Sequence, residues 1–443
     1  MRTLRLVCCL GISLVTPLFS GCTITFGPAD DNGAPAGGKP SPLPAPKDPH
    51  GDEPVLDTAQ QARKAEAEKY VAEVIYKGAT IIQTIQLPSG DIVDGLDRAT
   101  LPALTSDIPP LLWTAQDLVL PPGVELGLNA VEQFPELAAL VNTAAPFHRP
   151  TFWPYVLGET DATSIEDYLD RYQVGGQPTG THRYAGLVSK EPNRGISGFM
   201  NQFRPKVGDK SFSLLEFAVA CPADGDVQEM VGVVISVDKV NPFGASHQPL
   251  TDDTPRMHVE HAHMKGGKLQ YSWDNLDGAF VRYKESRTWP NQTVSFSTLG
   301  GPEVENPAAI FQSPKGDWWI AFGTELVGYY PAQLFTVLNG GACRTSWYGE
   351  VYQDANAKVK TEMGSGRFAE AKRPFAAYVR NPRYYNLSWF GLEPQEGLFA
   401  EPNVPTCYSR TKLAKDVVPW GVRSPHKTSS SFPALARRRP PFS

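Results

Sequence analysis

The chain has no excess of basic residues: 41 Lys and Arg stand against 47 Asp and Glu, a net charge of −6 over 443 residues. No broad positive face is available for phosphates, which argues against a general nucleic-acid binder. Cysteine is scarce. The six are Cys8, Cys9, Cys22, Cys221, Cys343 and Cys407, and none has Cys-x-x-Cys spacing. That disfavours a zinc ribbon or thiol catalysis. Ser365, in Gly-Ser-Gly, lacks the context of a nucleophile elbow and reads as a turn. The apolar N-terminal stretch "LVCCLGISLVTPLF" is too short to span a bilayer comfortably.

That stretch follows Arg2 and Arg5 and reads as a signal peptide over residues 1–21. It ends in Phe19-Ser20-Gly21-Cys22, and small residues before a cysteine resemble a bacterial lipoprotein processing site. Lipidation of Cys22 is therefore expected, with the body anchored to the cell envelope, at the outer membrane, by acyl chains rather than by a helix. Residues 22–55 are rich in Pro, Gly, Ala and Asp and read as a tether. Cys8 and Cys9 leave with the signal peptide and Cys22 is taken by lipid, so three cysteines remain and at most one disulfide forms within the chain. Its pairing is open.

Gly (39) and Pro (41) are abundant, and aromatic residues make up 10% of the chain. Such turn-rich, aromatic-rich chains lean towards β architecture. "LDTAQQARKAEAEKYVAEVIYKG" predicts a helix capped by Asp57 or Thr58. "TIIQTIQLPSGDIVDGLDRATLPAL" predicts a hairpin about Pro-Ser-Gly-Asp. From His182 onward short apolar runs recur between turn signals, as in "FSLLEFAVAC", "VQEMVGVVISV", "RMHVEHAHM" and "TSWYGEVY". They predict an antiparallel β-sandwich or jelly roll over 181–422, behind a small mixed α/β region at 56–180. "PAQLFTVLNG" predicts a short helix from Pro331 to Gly340, and residues 423–443 read as a disordered basic tail.

Two clusters of chemistry stand out. Glu350 sits between aromatics in a predicted strand, where Tyr348, Glu350 and Tyr352 share one face. His258, Glu260, His261 and His263 are four potential metal ligands within six positions. Strand alternation divides them, with His261 and His263 on one face and His258 and Glu260 on the other. They support a rival reading as a His-rich metal-binding protein.

Several segments in order resemble the neprosin family of secreted glutamic peptidases. "DWWIAFGTELVGYYPAQLF" is similar to the family's Trp-Trp stretch leading to Gly-Tyr-Trp-Pro, with Tyr330 where Trp is usual. "WYGEV" resembles Trp-Gly-Gly-Glu-Val, and "TEMGSGRF" resembles Thr-Gln-Met-Gly-Ser-Gly-His-Phe. "FSLLEFAV" is similar to Phe-Ser-Leu-Ser-Gln-Ile-Trp-Val, and "DNLDGAFVRY" also fits. "FAAYVRN" and the Cys407 segment match later landmarks, and "TIQLPSGDIVDGLD" resembles the start of an activation peptide. The resemblance covers roughly residues 80–100 and 182–410.

The resemblance implies a β-sandwich peptidase behind a pro-segment, without a metal or other cofactor. Two glutamates act on a water molecule, and cleavage after proline in acid is preferred. One carboxylate serves as general base and a protonated one as donor. Glu350 falls on the family's second catalytic Glu. Family order nominates Glu229 as its partner, although the family has Glu-x-Gly and Gly232 lies one residue too far. A one-residue slip would put Met230 there instead. Glu216 replaces the family's strand Gln and is an alternative dyad member, and Glu260 replaces a Tyr and is a candidate to line the cleft or support the dyad. Tyr348, Tyr352 and Trp319 are substrate-cleft candidates. The expectation is a lipid-anchored endopeptidase acting on peptide or protein substrates. The alternative is a catalytically inactive envelope binding protein on the same scaffold.

Overall fold

The computed structural model describes residues 55–113, 117–158, 160–173, 180–224, 227–240, 253–266, 268–394, 398–400, 408–410 and 417–422. The expected signal peptide, Cys22, the tether, Cys407 and the C-terminal tail lie outside the described residues.

The N-terminal region is mixed α/β. Helix α1 (Thr58–Tyr70) starts where Asp57 accepts the Gln60 N–H while Gln60 bonds back to the Asp57 N–H. This reciprocal cap satisfies two N–H groups that a helix start leaves unpaired. Strands β1 (Ile81–Gln86) and β2 (Ile92–Leu96) form the expected hairpin, and β3 (Ala145–His148) pairs with β2. Helices α2 (Pro135–Thr143) and α3 (Ile165–Gln173) complete the region.

Two antiparallel sheets follow. Strands β4 (Thr181–Ser189), β5 (Asn193–Asn201), β6 (Phe212–Asp224), β7 (Val227–Asp238), β8 (Arg256–Lys265) and β9 (Lys268–Trp273) come first in the chain. Then come β10 (Glu303–Gln312), β11 (Trp318–Phe322), β12 (Glu325–Tyr330), β13 (Arg344–Gln353) and β14 (Ala377–Asn386). One sheet has the order β9-β8-β7-β6-β13-β4, and the other β12-β11-β10-β5-β14. Shorter strands extend both.

Strand alternation decides what each sheet buries. Phe217, Val219, Val231, Val233, Ile235, Trp347 and Val351 point inward from the first sheet. They meet Ile196, Met200, Ala308, Ile310, Trp318 and Ile320 of the second. The intervening residues of β6, β7, β8 and β13 therefore form the outer face of the first sheet, where the chemistry lies. Cys221 on β6 and Cys343 just before β13 form the disulfide that cysteine counting left unassigned, with Cα atoms 4.7 Å apart.

The N-terminal region packs on the sandwich. Leu276 joins its apolar core, and Trp273 packs against the same core. Asp91, after the hairpin turn, pairs with Arg256 at the start of β8 at 2.8 Å, with both side chains buried. His148 approaches the other Asp91 oxygen at 3.2 Å. Burial disfavours the charged form of Asp91, but the Arg256 guanidinium and His148 outweigh it and hold the carboxyl well below its usual range.

The single helix expected over 331–340 is instead two 3₁₀ turns, Ala332–Leu334 and Leu338–Gly340. The break has a cause. The N–H groups of Thr336, Val337 and Leu338 are turned onto the carboxylate of Glu229 rather than along a helix. The Met363-Gly364-Ser365-Gly366 segment is a turn, as expected. Gly364 and Gly366 have φ of 61° and 70°, a backbone region that favours glycine.

Candidate active site

Glu350 extends from the outer face of the first sheet, on the same side as Tyr348 and Tyr352. On β6, Glu216 is directly opposite Tyr348, so it is the diagonal neighbour of Glu350. Such neighbours lie about 7–8 Å apart, room for one water between side chains. On β8, Glu260 is opposite Gly232 of β7, which is in turn opposite Ala218 of β6. Alternation thus brings Glu216, Glu260 and Glu350 from three strands to one face, each only 2% exposed.

Each carboxylate has an aromatic partner. Tyr348 donates its hydroxyl to Glu216 Oε2, and Tyr271 donates to Glu260 Oε2. His182 Nδ1 lies 2.5 Å from Glu350 Oε1. The half-buried side chains of His182, Tyr184, Phe212, Met230, Tyr271 and Trp273 stand around the glutamates. Trp273 also packs against the N-terminal core, so that region abuts one end of the site. Tyr352 stacks on Phe212 and tilts against His182.

Burial raises the Glu216 carboxyl well above its ordinary range, and the charge of Glu260 raises it further. Glu260 is raised as well, by burial first, with Glu350 adding to it and hydrogen bonds from Glu216 and Tyr271 opposing it. Glu350 has a basic side chain, His182, within hydrogen-bond distance. The site thus offers a carboxyl that holds its proton beyond the usual range, next to a second carboxyl in contact with His182.

Glu229 is not brought to this cluster. It shares the inner face with Val231 and Val233 and is fully buried. Its two oxygens accept the N–H groups of Thr336, Val337 and Leu338 at 2.8–2.9 Å and the Thr336 hydroxyl at 2.8 Å. Burial opposes the charge, but these donors outweigh it and lower the carboxyl's pKa. The role expected of Glu229 is corrected: it folds the 336–338 loop onto the sheet. No bulge intervenes between Cys221 and Phe217 to turn it outward. Met230, one residue on, faces the site.

Trp319 is likewise not a cleft residue. It lies on the outer face of the second sheet, fully buried under Leu104, Leu111, Leu112 and Trp113, and its indole N–H donates to Ser106. The four-ligand stretch divides as alternation predicts. His258 pairs with Asp274 at 3.1 Å, and His261 approaches Asp277 at 3.2 Å. His263 stacks on His261, and burial first, then His261, bring it down to about 4. Among the described residues no group of three such side chains could hold a metal.

Three members of the site escaped the sequence reading. His182 is 168 residues from Glu350, and only the β4–β13 pairing joins them. Tyr271 lies on β9, and only the pairing of β9 with β8 brings it to Glu260. Gly232 was visible as a misfit to the family spacing, and its meaning lies in the two glutamates that flank it.

Two stability tests follow from these environments. Replacing Glu229 with Ala should lower unfolding stability by about 3 kcal/mol, since bonds to a charged group carry about 1.5–3 kcal/mol each and do not add fully. Urea unfolding at neutral pH measures it. Glu216 has the opposite sign. An unfolded glutamate titrates at about 4.3, and the folded group holds its proton to higher pH. The stability it contributes is present below the unfolded value and is lost as pH rises through the folded one. Glu216→Gln should therefore raise the thermal midpoint at pH 7 and change it little at pH 4.

Residues 243–423 match the Neprosin family model, a stretch that takes in Glu260 and Glu350 and begins after Glu216. Among solved structures, a scytalido-glutamic peptidase with a peptide-based transition-state analogue is 10% identical. That match covers 55% of this chain and 98% of the other, at a TM-score of 0.28. SCP-B, a member of the Eqolisin family of peptidases in complex with Ala-Ile-His, is 9% identical over 55% and 98%, at 0.27. A beta-porphyranase from the human gut bacterium Bacteroides plebeius is 10% identical over 38% and 55%, at 0.18. At these TM-scores the structural likenesses carry no argument about site or substrate. The family match covers residues 243–423, and over that stretch the chain is similar to the Neprosin family.

Proposed function

We propose that this protein hydrolyses peptide bonds in acid with Glu350 and Glu216 as its reacting pair. The observation that carries the reading is their placement: diagonal neighbours on one sheet face, one raised by burial and one beside His182. The Glu350 carboxylate takes a proton from a water between the two. The water oxygen attacks the peptide carbonyl carbon as Glu216 gives its proton to the carbonyl oxygen. In the tetrahedral intermediate so formed, Glu350 passes its proton to the nitrogen and the C–N bond breaks. Glu216 then recovers a proton from the intermediate's hydroxyl, and both groups return to their starting states. Paired proton transfers of this kind each contribute about 10²–10⁴-fold.

The family resemblance supports acidic conditions and cleavage after proline, and the aromatic walls suit an apolar proline ring. The sequence Phe19-Ser20-Gly21-Cys22 and the tether support an exported body held to the envelope by lipid on Cys22. A binding role without catalysis draws its support from the departures at Glu216 and Glu260. Glu216 gives Glu350 a second carboxyl within reach, and this favours catalysis.

Glu350→Gln keeps the size and hydrogen-bonding capacity of the side chain and removes the base. Cleavage of a proline-containing peptide at pH 3–5 should fall at least 10³-fold in the variant, with its circular dichroism unchanged. Cleavage at the wild-type rate would remove Glu350 from the mechanism.

A further inference from the structure

We propose that Glu260 is a positioning residue that shares one proton with Glu216 across the space left open at Gly232, and so keeps Glu216 the proton donor. The inference rests on the reading of Glu216 and Glu350 as the reacting pair.

The geometry begins with the glycine. β7 runs between β6 and β8, so a side chain at position 232 would separate Glu216 from Glu260. A Cβ there would stand 2.6 Å from Glu260 Cγ, 2.6 Å from Glu260 Oε1 and 3.1 Å from Glu216 Oε1. A Cβ at 2.6 Å would force the Glu260 side chain to move, so the two carboxyls occupy the volume that a larger residue would fill. Gly232 lies in extended strand, so no turn or left-handed φ calls for glycine. The close approach of the two side chains is the reason for it.

The hydrogen bonding points the same way. Tyr348 and Tyr271 hold Oε2 of Glu216 and Oε2 of Glu260 from opposite sides. That leaves the two Oε1 atoms beside the Gly232 gap. Glu216 Oε1 is buried and meets no donor while both carboxyls are ionised. One proton between them supplies the missing bond. Two negative charges in so dry a place are not sustained together.

Other charged and titratable groups face the pair from every side. Glu350 and Tyr348 come from β13, with His182 behind Glu350 on β4. His258 lies on Glu260's own strand and is held by Asp274. Tyr271 comes from β9, and Tyr330 from the second sheet senses the Glu260 charge. His258 favours the ionised form of Glu260, while Glu350 disfavours it. An ionised Glu260 in turn favours the protonated form of Glu216.

The test is the pH profile of kcat/KM for a proline-containing peptide. The Glu260→Gln side chain can still donate an N–H to Glu216 Oε1 but holds no shareable proton. Its alkaline limb should move at least one pH unit towards acid, with kcat falling and KM nearly unchanged. Glu260→Asp, which keeps the carboxyl, should restore part of the shift. Gly232→Ala should mimic Glu260→Gln by pushing the carboxyls apart, and it stands in if Glu260→Gln does not fold. An unshifted limb, with Glu350→Gln inactive, overturns the shared proton and leaves the reacting pair standing. Loss of cleavage at every pH in a folded Glu260→Gln protein also overturns it, since Glu260 would then be a reacting group itself. A Glu350→Gln protein that cleaves normally overturns the pair on which the inference rests.

Discussion

Carboxyl groups buried side by side cannot all be charged, and this constraint organises the site. Glu216, Glu260 and Glu350 occupy one sheet face at 2% exposure. A core built for stability alone would not place them there, because each desolvated charge opposes folding. The arrangement persists because one proton relieves two of the carboxyls, and tyrosines and a histidine satisfy the oxygens that remain. What costs stability at neutral pH is what makes Glu216 an acid.

The rest of the sandwich holds that cluster in register. Inward residues of β6, β7, β8 and β13 are apolar and lock the first sheet onto the second. A slip of one residue in any of them would exchange the core face for the site face. The Cys221–Cys343 bridge joins the strands that carry Glu216 and Glu350. Glu229 gathers the N–H groups of the 336–338 loop just ahead of β13. It is a structural carboxylate one residue away from a face where it would have been a chemical one.

Much of this was legible in the sequence, because alternation and turn signals are local. The β-sandwich, the α1 cap at Asp57 or Thr58, the first hairpin and the shared face of Tyr348, Glu350 and Tyr352 all follow from spacing. Alternation also foretold the split of His258 and Glu260 from His261 and His263. The partner of Glu350 was not fixed by spacing. Family order pointed to Glu229, whereas strand alternation puts Glu229 on the same face as the core residues Val231 and Val233. Trp319 was misplaced because its burial depends on residues 104–113, more than 200 positions upstream. His182 was missed for the same reason: only tertiary pairing brings it to Glu350.

The central claim is that an acid pair working on water cuts peptides. Its most direct measurement is mass spectrometry of a proline-containing peptide incubated with the purified soluble wild-type protein across a pH series, with and without chelator. The account predicts cuts in acid that fade towards neutrality and are indifferent to chelator. Absence of cuts at every pH, or cleavage that chelator abolishes, would contradict it.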